Sequence, residues 1–406
     1  MMDDPRAKGA VSSEGCAPAA TSPAATVEID GYRFPPFDLA RLLRTVFELE
    51  GGERFGVFTD LPQPREVAAA RFLSAVRPGG PQYHAWHTIY EPLRKSSALA
   101  PGSVDFFAYA EVGGSNLELP PAVFDLEGRE RPLREVLAEL DIALYVGTWS
   151  ATAPLTALAR QLGFRGATMH GINDRVVASG LAVDYREVSA RAERLRRHLS
   201  RADAMVMEWQ VDGERPRLEV LLGGQEAQKS HGLVRERGEV ANLPAGEVYY
   251  VPVGAEGRMP IQFEDPERTI AIFSVAGGSI RTLERLVHGS RRLVEDWLGV
   301  IASDPAAGMI TELGLGTQSL PWAGTDIQDE KIIGTAHLAT GRSDHLGGAI
   351  GPQSFRDLRN ASHNDILYTP VKTPRVRLER VRMRRGGEES LVLERYEPAA
   401  ALRALL

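Results

Sequence analysis

The chain has 406 residues, of which 43% are apolar and 25% are charged, and its formal net charge is −7. This composition is typical of a folded globular protein and excludes wholesale disorder, and the length suits two domains. The negative net charge argues against a nucleic-acid partner, because the phosphate backbone is itself negatively charged. The single cysteine, Cys16, excludes an internal disulfide framework and any multi-cysteine metal cluster, and it indicates a reducing compartment.

No segment of the sequence predicts a membrane span or a secretory signal. The longest uncharged stretch, residues 142–159, is interrupted by glycine, proline and hydroxyl-bearing residues. That pattern predicts a strand, a loop and a helix rather than a lipid-facing helix. The amino terminus lacks the apolar core of a signal peptide. We therefore expect a cytoplasmic protein with no membrane partner.

Residues 1–26 are rich in Ala, Pro, Ser and Gly and carry few large apolar side chains. Such a segment cannot bury enough surface to offset the entropy cost of ordering it. A disordered tail is therefore predicted here, and it contains Cys16.

Residues 27–205 alternate between short apolar strands and amphipathic helices, which predicts an α/β domain with a doubly wound parallel sheet. Strands are predicted at 54–60, 141–146 and 165–169, and helices at 39–47, 66–76, 154–162 and 185–202. The first strand is followed by neither a G-x-G-x-x-G motif nor a Walker loop, so a nucleotide cofactor is not indicated.

Residues 206–406 have a different sequence pattern, which predicts a second domain of α+β type. Alternating runs near 204–209, 217–222 and 247–251 predict strands of a mixed or antiparallel sheet. The spacing of leucine, valine and tryptophan predicts one helix over 280–300. The arginine-rich alternation at 375–396 predicts a hairpin, and these strands make a homodimer plausible.

Two regions of the first domain hold candidate polar contacts. Ser150 and Thr152 follow a predicted strand, and loops at the carboxyl ends of parallel strands line the ligand crevice, so they are candidate substrate-binding residues. The alternative is that these two side chains are polar only because the loop is exposed to solvent. His84 and His87 lie three residues apart on a predicted helix, and this spacing suits either a metal pair or a pocket wall.

Four segments of the second domain lie at strand ends or glycine-rich turns, and each holds a side chain able to bind a metal. They contain Glu247 (within 242–248), Glu312 (within 311–317), His337 (within 329–339), and the pair His363 and Asp365 (within 362–367).

The last pair is the most informative, since the two-residue period of a strand places His363 and Asp365 on one face. Carboxylates combined with imidazoles favour Zn, Mn, Co or Fe(II) over Ca or Mg. Two ions sharing a carboxylate would use all five side chains. Each residue also has a structural alternative: a strand histidine is commonly a hydrogen-bonded core residue, and Glu247 can cap a turn.

In order and spacing, these segments resemble the aminopeptidase T type of metallopeptidase, often labelled leucyl aminopeptidase. The resemblance includes the runs 169–175 and 184–188 and covers roughly residues 37–370. It implies a metal-dependent hydrolase that cleaves a peptide or amide bond with a metal-activated water, using two Zn, Co or Mn ions per chain. The implied metal ligands are Glu247, Glu312, His337, His363 and Asp365. Glu312 would bridge the ions, and Glu247 would bind metal or orient the nucleophilic water.

The sequence departs from this family after His337, where the family carries a tyrosine ligand. Asp344 and His345 are the candidate replacements and candidate substrate-binding residues, and Arg356 in the following polar loop is a candidate partner for a substrate carboxylate. A small-molecule or peptide substrate is therefore expected.

A second branch of the same structural family resembles 2,5-dihydroxypyridine 5,6-dioxygenase, which implies one Fe(II) ion and cleavage of an aromatic ring. The presence of both Glu247 and Glu312 favours the hydrolase. A non-catalytic binding module that retains the fold is a third hypothesis.

Overall fold

The computed structural model describes residues 26–406. The predicted tail, with Cys16, lies outside the described residues except for Thr26. The strands, in chain order, are β1 (Val27–Ile29), β2 (Tyr32–Phe34), β3 (Arg54–Leu61), β4 (Ser103–Ala110), β5 (Ala122–Asp125), β6 (Glu130–Pro132), β7 (Ile142–Tyr145), β8 (Arg165–Thr168), β9 (Ala204–Gln210), β10 (Arg217–Leu221), β11 (Gln228–Ser230), β12 (Val240–Asn242), β13 (Glu247–Tyr250), β14 (Gly254–Gln262), β15 (Ile270–Ala276), β16 (Ser279–His288), β17 (Ile310–Gly316), β18 (Ala336–Gly341), β19 (His363–Tyr368), β20 (Arg377–Arg385), β21 (Glu388–Glu394) and β22 (Glu397–Pro398).

The α-helices are α1 (Leu39–Phe47), α2 (Pro81–His84), α3 (Glu91–Arg94), α4 (Leu133–Ala138), α5 (Thr152–Leu162), α6 (Asp174–Ala178), α7 (Tyr185–Leu199), α8 (Arg291–Ser303), α9 (Asp326–Asp329) and α10 (Ala400–Arg403). A π-helical turn covers Ala85–Tyr90, and 3-10 turns cover Pro64–Ser74, Pro305–Gly308, Asp344–Leu346, Pro352–Ser354 and Leu358–Asn360. None of the helices in residues 26–406 is both long enough and apolar enough to cross a membrane.

The first large sheet is mixed and has seven strands in the order β12-β8-β7-β3-β4-β5-β6. The strands from β12 to β4 pair in parallel, and β5 and β6 add an antiparallel edge. Its central strands are buried apolar runs, as expected where helices cover both faces of a parallel sheet. The predicted α/β class is confirmed. The domain boundary at residue 205 stays a prediction. Strand β12 (Val240–Asn242) lies beyond that boundary in the sequence, yet it pairs with β8 in the first sheet.

Two antiparallel sheets complete the main architecture. One has eight strands in the order β16-β15-β14-β10-β9-β20-β21-β22, and the other has five in the order β11-β13-β17-β18-β19. They share one apolar core, in which Met207 and Leu218 of the larger sheet join Leu313 and Leu338 of the smaller one. The five-stranded sheet therefore has one face fixed against this core and its other face free to carry polar chemistry.

The helix predicted over 280–300 is wrong in its first half, where the chain forms strand β16. The bulges in the pairing of β15 with β16 shift the two-residue alternation of β16, so its apolar side chains recur at spacings that imitate a helix. The helix starts after Gly289, whose φ of +85° turns the chain. Ser290 then caps α8 by accepting a hydrogen bond from the backbone N–H of Leu293 at 3.2 Å.

Two other predicted elements have clear outcomes. The hairpin expected near the carboxyl terminus is confirmed as β20 and β21. The helix expected at 66–76 is instead a pair of 3-10 turns interrupted by Ala68–Ala70, of which Ala69 and Ala70 have positive φ values. Such a run cannot continue an α-helix, because its backbone leaves the right-handed helical region.

Candidate metal centre

The five predicted metal ligands project from one face of the five-stranded sheet. Glu247 begins β13, Glu312 lies in β17, His337 in β18, and His363 and Asp365 in β19. The pairing places Ala339 of β18 directly between Glu312 and Asp365, so these two carboxylates point to the same side. The opposite side chains of these strands enter the shared apolar core. Strand alternation therefore separates the core from the chemistry.

Small residues fill the positions between the ligands on this face. Gly314 faces His337 across the β17–β18 pair, and a methyl group at Gly314 would lie 2.1 Å from Cε1 of that imidazole. Gly316 faces Glu247, and Gly341, with a φ of +94°, faces His363. Gly314 therefore makes room for the imidazole of His337. Gly316 and Gly341 instead allow close approach of backbone, since added methyl groups would lie 2.1 and 2.2 Å from the carbonyl oxygens of Ile332 and Ser362.

The tightest group, which we call the His363 set, consists of Glu312, His363 and Asp365. Nε2 of His363 lies 2.9 Å from Oε2 of Glu312 and 3.2 Å from Oδ1 of Asp365. The ring is fixed on its other side, where Nδ1 lies 2.6 Å from the backbone carbonyl of Arg342 and donates to it. In the neutral ring, which is the form that binds a metal, this hydrogen bond leaves the lone pair on Nε2, facing the two carboxylates. This is the usual orientation of a metal-binding histidine.

A second group, which we call the His337 set, shares Glu312 and adds Glu247 and His337. Nε2 of His337 lies 3.6 Å from Oε2 of Glu247 and 3.6 Å from Oε1 of Glu312. A third combination joins His337 and Asp365 to Glu330. The carboxylates thus form one continuous acidic surface around the two imidazoles.

Lys331 lies inside this acidic surface and is 1% exposed. Its Nζ is 2.7 Å from Oε1 of Glu247 and 2.5 Å from Oε1 of Glu330. Burial by itself would lower the pKa of Lys331, but the two carboxylates raise it well above its ordinary value, so the side chain is an ammonium. One oxygen of Glu247 is therefore already paired with a cation.

The pKa shifts of the other groups have the same origin. Burial alone would lower the pKa of His337, but the Glu312 carboxylate raises it to about 9. The pKa of His363 is likewise raised, despite burial, by Asp365 and Glu312. Burial alone would raise the pKa of Glu312, and its hydrogen bonds with the two imidazoles lower it. The centre therefore strongly attracts positive charge, whether as protons or as a metal cation.

A cavity of about 280 Å³ opens over the centre, between the five-stranded sheet and the amino-terminal end of α5. The predicted contacts Ser150 and Thr152 line it, as does His345. Oγ of Ser150 lies 2.9 Å from Oγ1 of Thr152, which also hydrogen-bonds to Asn242. These hydroxyls belong to a polar network on the wall opposite the metal ligands. The volume suits a small molecule or the end of a peptide rather than a folded partner.

His345, one of the two residues considered as a tyrosine replacement, packs its ring perpendicular to that of His363 with centroids 5.0 Å apart. Asp344 lies beside the cavity and does not line it, because its carboxylate is held by Arg342 at 2.7 and 3.1 Å. Its role in substrate binding stays a prediction.

Arg356 does not reach the cavity. Its guanidinium donates to the backbone carbonyl of Ser303 at 2.9 Å, at the end of α8. This bond to the end of α8 holds the arginine away from the centre, and its expected contact with a substrate carboxylate stays a prediction.

The two histidines near the start of the chain belong to no three-ligand group within residues 26–406. Nδ1 of His84 bonds to the hydroxyl of Thr88 at 2.8 Å, and the ring of His87 packs on Tyr83 with centroids 4.4 Å apart. His84 is therefore a buried, packed residue, whereas His87 is exposed and lines a second cavity.

Sequence reasoning missed Glu330, Lys331, His170 and Arg342. Glu330 and Lys331 lie inside the segment 329–339 that contains His337. The sequence feature that could have identified them is a pair of charged residues shortly before the apolar strand that carries His337. His170 lines the cavity, and burial lowers its pKa to about 4, so it is a neutral imidazole. The contacts of Arg342 with Asn116 and Glu118 carry no local signal, because these partners lie 226 and 224 residues away in the sequence.

The sequence matches no family model and no curated protein. Among solved structures, the fold is similar to that of 2,5-dihydroxypyridine dioxygenase from Pseudomonas putida KT2440, with a TM-score of 0.56 over 89% of this chain and 97% of that chain. At 14% sequence identity, this likeness shows a common fold alone. The expected relation to the dioxygenase branch is confirmed at the level of fold, whereas the resemblance to aminopeptidase T stays an expectation.

Proposed function

We propose that the protein is a metal-dependent enzyme whose divalent cation is held by Glu312, His363 and Asp365. The observation that carries the proposal is the geometry of His363. Its Nδ1 is anchored to a backbone carbonyl, and its Nε2 meets carboxylate oxygens at 2.9 and 3.2 Å inside a buried site. Three lone-pair donors converging at a water-poor position suit a cation better than any neutral ligand.

For the reaction, we place oxidative cleavage of a small hydroxylated ring compound first, with Fe(II) as the cation. The fold supports this choice because almost the whole length of the dioxygenase is covered. One imidazole and two carboxylates on one side of an ion also resemble the three-ligand arrangement of non-haem iron oxygenases, although those carry two histidines and one carboxylate. When bound, Fe(II) supplies the one-electron chemistry that activation of oxygen requires.

The chain's own residues would prepare the substrate. Burial lowers the pKa of both His345 and His170, so each is a neutral imidazole able to accept the proton of a substrate hydroxyl. His345 lies against His363, and His170 lines the same cavity. Ser150, Thr152 and Asn242 form the polar wall that would orient the substrate.

Hydrolysis of a peptide or amide bond is the second candidate, and a specific observation favours it. The His337 set shares Glu312 with the His363 set, so the two sets together would hold two cations. Those cations would supply Lewis-acid activation of water and of the substrate carbonyl, and Glu247 would orient the attacking water.

One set of measurements separates these candidates. The purified protein is reconstituted anaerobically with Fe(II), Mn(II), Co(II) or Zn(II), and metal content is measured by elemental analysis. Oxygen uptake is then followed with dihydroxypyridines and related hydroxylated aromatics, and amine release with aminoacyl anilides. Oxygen uptake that occurs with Fe(II) but with none of the other three metals supports the dioxygenase. Amine release by protein that holds two ions per chain supports the hydrolase. Failure to bind any of the four metals would contradict both.

A further inference from the structure

We infer that the buried ammonium of Lys331 takes the place of a second metal ion, so that the centre binds one divalent cation, at the His363 set. This inference rests on the proposed function, since it assumes that the centre holds metal at all. It concerns the number of ions and the residue that sets that number.

The position of Lys331 is the first step of the argument. Its Nζ lies 2.7 Å from Oε1 of Glu247 and 2.5 Å from Oε1 of Glu330, distances typical of charge-assisted hydrogen bonds. Glu247 and Glu330 are the carboxylates that extend the acidic surface beyond the His363 set. The lysine therefore occupies the space between the groups that a second cation would need.

The position of the lysine is fixed by its backbone. The N–H of Lys331 donates to Gln328 at 2.9 Å, and its carbonyl accepts from Gln318 at 2.7 Å. The following peptide lies against Gly316, where a methyl group would be 2.1 Å from the carbonyl oxygen of Ile332. The side chain starts from an anchored turn and is 1% exposed, so it has no solvent-facing alternative nearby.

Charge balance leads to the same conclusion. The centre contains the carboxylates of Glu247, Glu312, Glu330 and Asp365, with Lys331 as the buried ammonium among them. If all four side chains are ionised and the imidazoles are left out of the count, one divalent cation together with the lysine offsets three of the four negative charges. A second divalent cation would instead leave excess positive charge in a buried site and would bring a cation next to the ammonium, which is costly at low dielectric.

The two sets also differ in their geometry. In the His363 set, Nε2 of the imidazole lies within 3.2 Å of an oxygen of each carboxylate. In the His337 set, Nε2 lies 3.6 Å from an oxygen of each carboxylate, and one of these carboxylates, Glu247, is already paired with the lysine. The His337 set is thus the one that Lys331 neutralises.

The test measures metal stoichiometry by titrating metal-free protein with Mn(II) or Zn(II), followed by elemental analysis after gel filtration. We expect one ion per chain in the unaltered protein and two in Lys331→Ala, which frees Glu247 and Glu330. Lys331→Arg, which keeps the charge, is expected to bind one. Lys372→Ala is the matched control, since Lys372 is another largely buried lysine paired with a carboxylate, Asp326, and its loss should leave one ion.

A second pair of variants keeps the inference testable if Lys331→Ala does not fold. Glu247→Gln should weaken binding of the single ion by no more than about tenfold, as expected for a residue outside the ligand shell. Asp365→Asn should weaken it far more. Comparable losses in both variants would overturn the inference.

The other outcomes are equally decisive. Two ions in the unaltered protein, or one ion in a folded Lys331→Ala variant, would overturn the role of Lys331 while leaving a metalloenzyme. No metal in any variant would instead refute the proposed function.

Discussion

At the scale of single residues, His363 is the side chain whose surroundings are most specific to metal binding. Its Nδ1 donates a hydrogen bond to the backbone carbonyl of Arg342, and its Nε2 faces the carboxylates of Glu312 and Asp365. The ring of His345 packs against one side of its imidazole. A histidine that only filled the core would need one hydrogen-bond partner, not two carboxylates. The excess of acceptors is what distinguishes a ligand from a packed residue.

Replacing Asp365 by Asn tests this view of the centre. The amide keeps the shape of the side chain but removes the negative charge, so we expect metal affinity to fall by about 100-fold or more and turnover to fall with it. The affinity is measured by competition with a chromophoric chelator. Asn364→Ala is the control on the same strand, because Asn364 is exposed and bonds only to Ser362. Equal affinities for Asp365→Asn and the unaltered protein would remove Asp365 from the ligand set.

At the scale of elements, the five-stranded sheet works because small residues alternate with ligands on its polar face. Gly314 leaves the volume that the imidazole of His337 fills, and Gly316 and Gly341 admit the backbone of neighbouring segments. The same strands insert leucines into the apolar core on their other face. A register slip of one residue would exchange these two sets, so burial of the leucines also fixes the register of the ligands.

Gly314→Ala tests the space requirement directly. The added methyl would lie 2.1 Å from Cε1 of His337 and would force the ring from its place, so we expect a loss of about 2 kcal/mol in the free energy of unfolding. Urea denaturation monitored by circular dichroism measures it. Gly299→Ala in α8 is the control, since nothing lies within 4 Å of its added methyl, and it should be neutral or gain up to about 1 kcal/mol. If both variants are equally stable, the ring does not need this space.

The contact between α7 and β11 predicts a pH dependence. Glu193 accepts hydrogen bonds from Arg196 and Arg197 and lies 3.2 Å from Lys229. The hydrogen bonds with these cations, that of Arg196 first, lower the pKa of Glu193 despite partial burial. Because its pKa is lower in the folded protein than in the unfolded chain, its contribution is present above pH of about 5 and is lost as the pH falls below about 4.

We therefore expect Glu193→Gln to lower the free energy of unfolding by about 1 kcal/mol at pH 7 and by progressively less toward pH 3. Denaturation curves of both proteins across this pH range measure the difference. Glu187→Gln, at an exposed position of the same helix, serves as the control and should show almost no difference. A difference that grows toward acid would contradict the assigned direction of the shift.

At the scale of the whole molecule, Arg342 connects the metal centre to the first half of the chain. Its buried guanidinium donates to the backbone carbonyl of Asn116 and to Glu118, in the loop after β4, and also to Asp344. Its own carbonyl orients His363. The cavity therefore lies between two parts of the chain, and Arg342 is one of the residues that join them.

Arg342→Met should lower the free energy of unfolding by about 3 kcal/mol, because it leaves Asp344 without its cation and breaks the connection to the loop. It should also weaken metal binding, because the backbone carbonyl that orients His363 would belong to a residue whose side chain no longer anchors it. Arg359→Met is the control, because Arg359 is exposed and pairs only with neighbouring Asp357, and it should stay within about 0.5 kcal/mol. An Arg342→Met protein as stable as the control would show that the connection contributes little.

A homodimer and a cytoplasmic location stay predictions. Sedimentation of the purified protein would test the first.

The sequence by itself determined the α/β class and the chemical nature of the ligands, because strand alternation and the choice of His, Asp and Glu are local properties of the chain. It could not decide between strand and helix at 280–288, where bulges imitate helical spacing. Only the tertiary structure decided that five distant side chains meet, that Arg356 does not join them, and that Lys331 does. Those outcomes depend on the order and register of strands, which arise from packing between segments far apart in the chain.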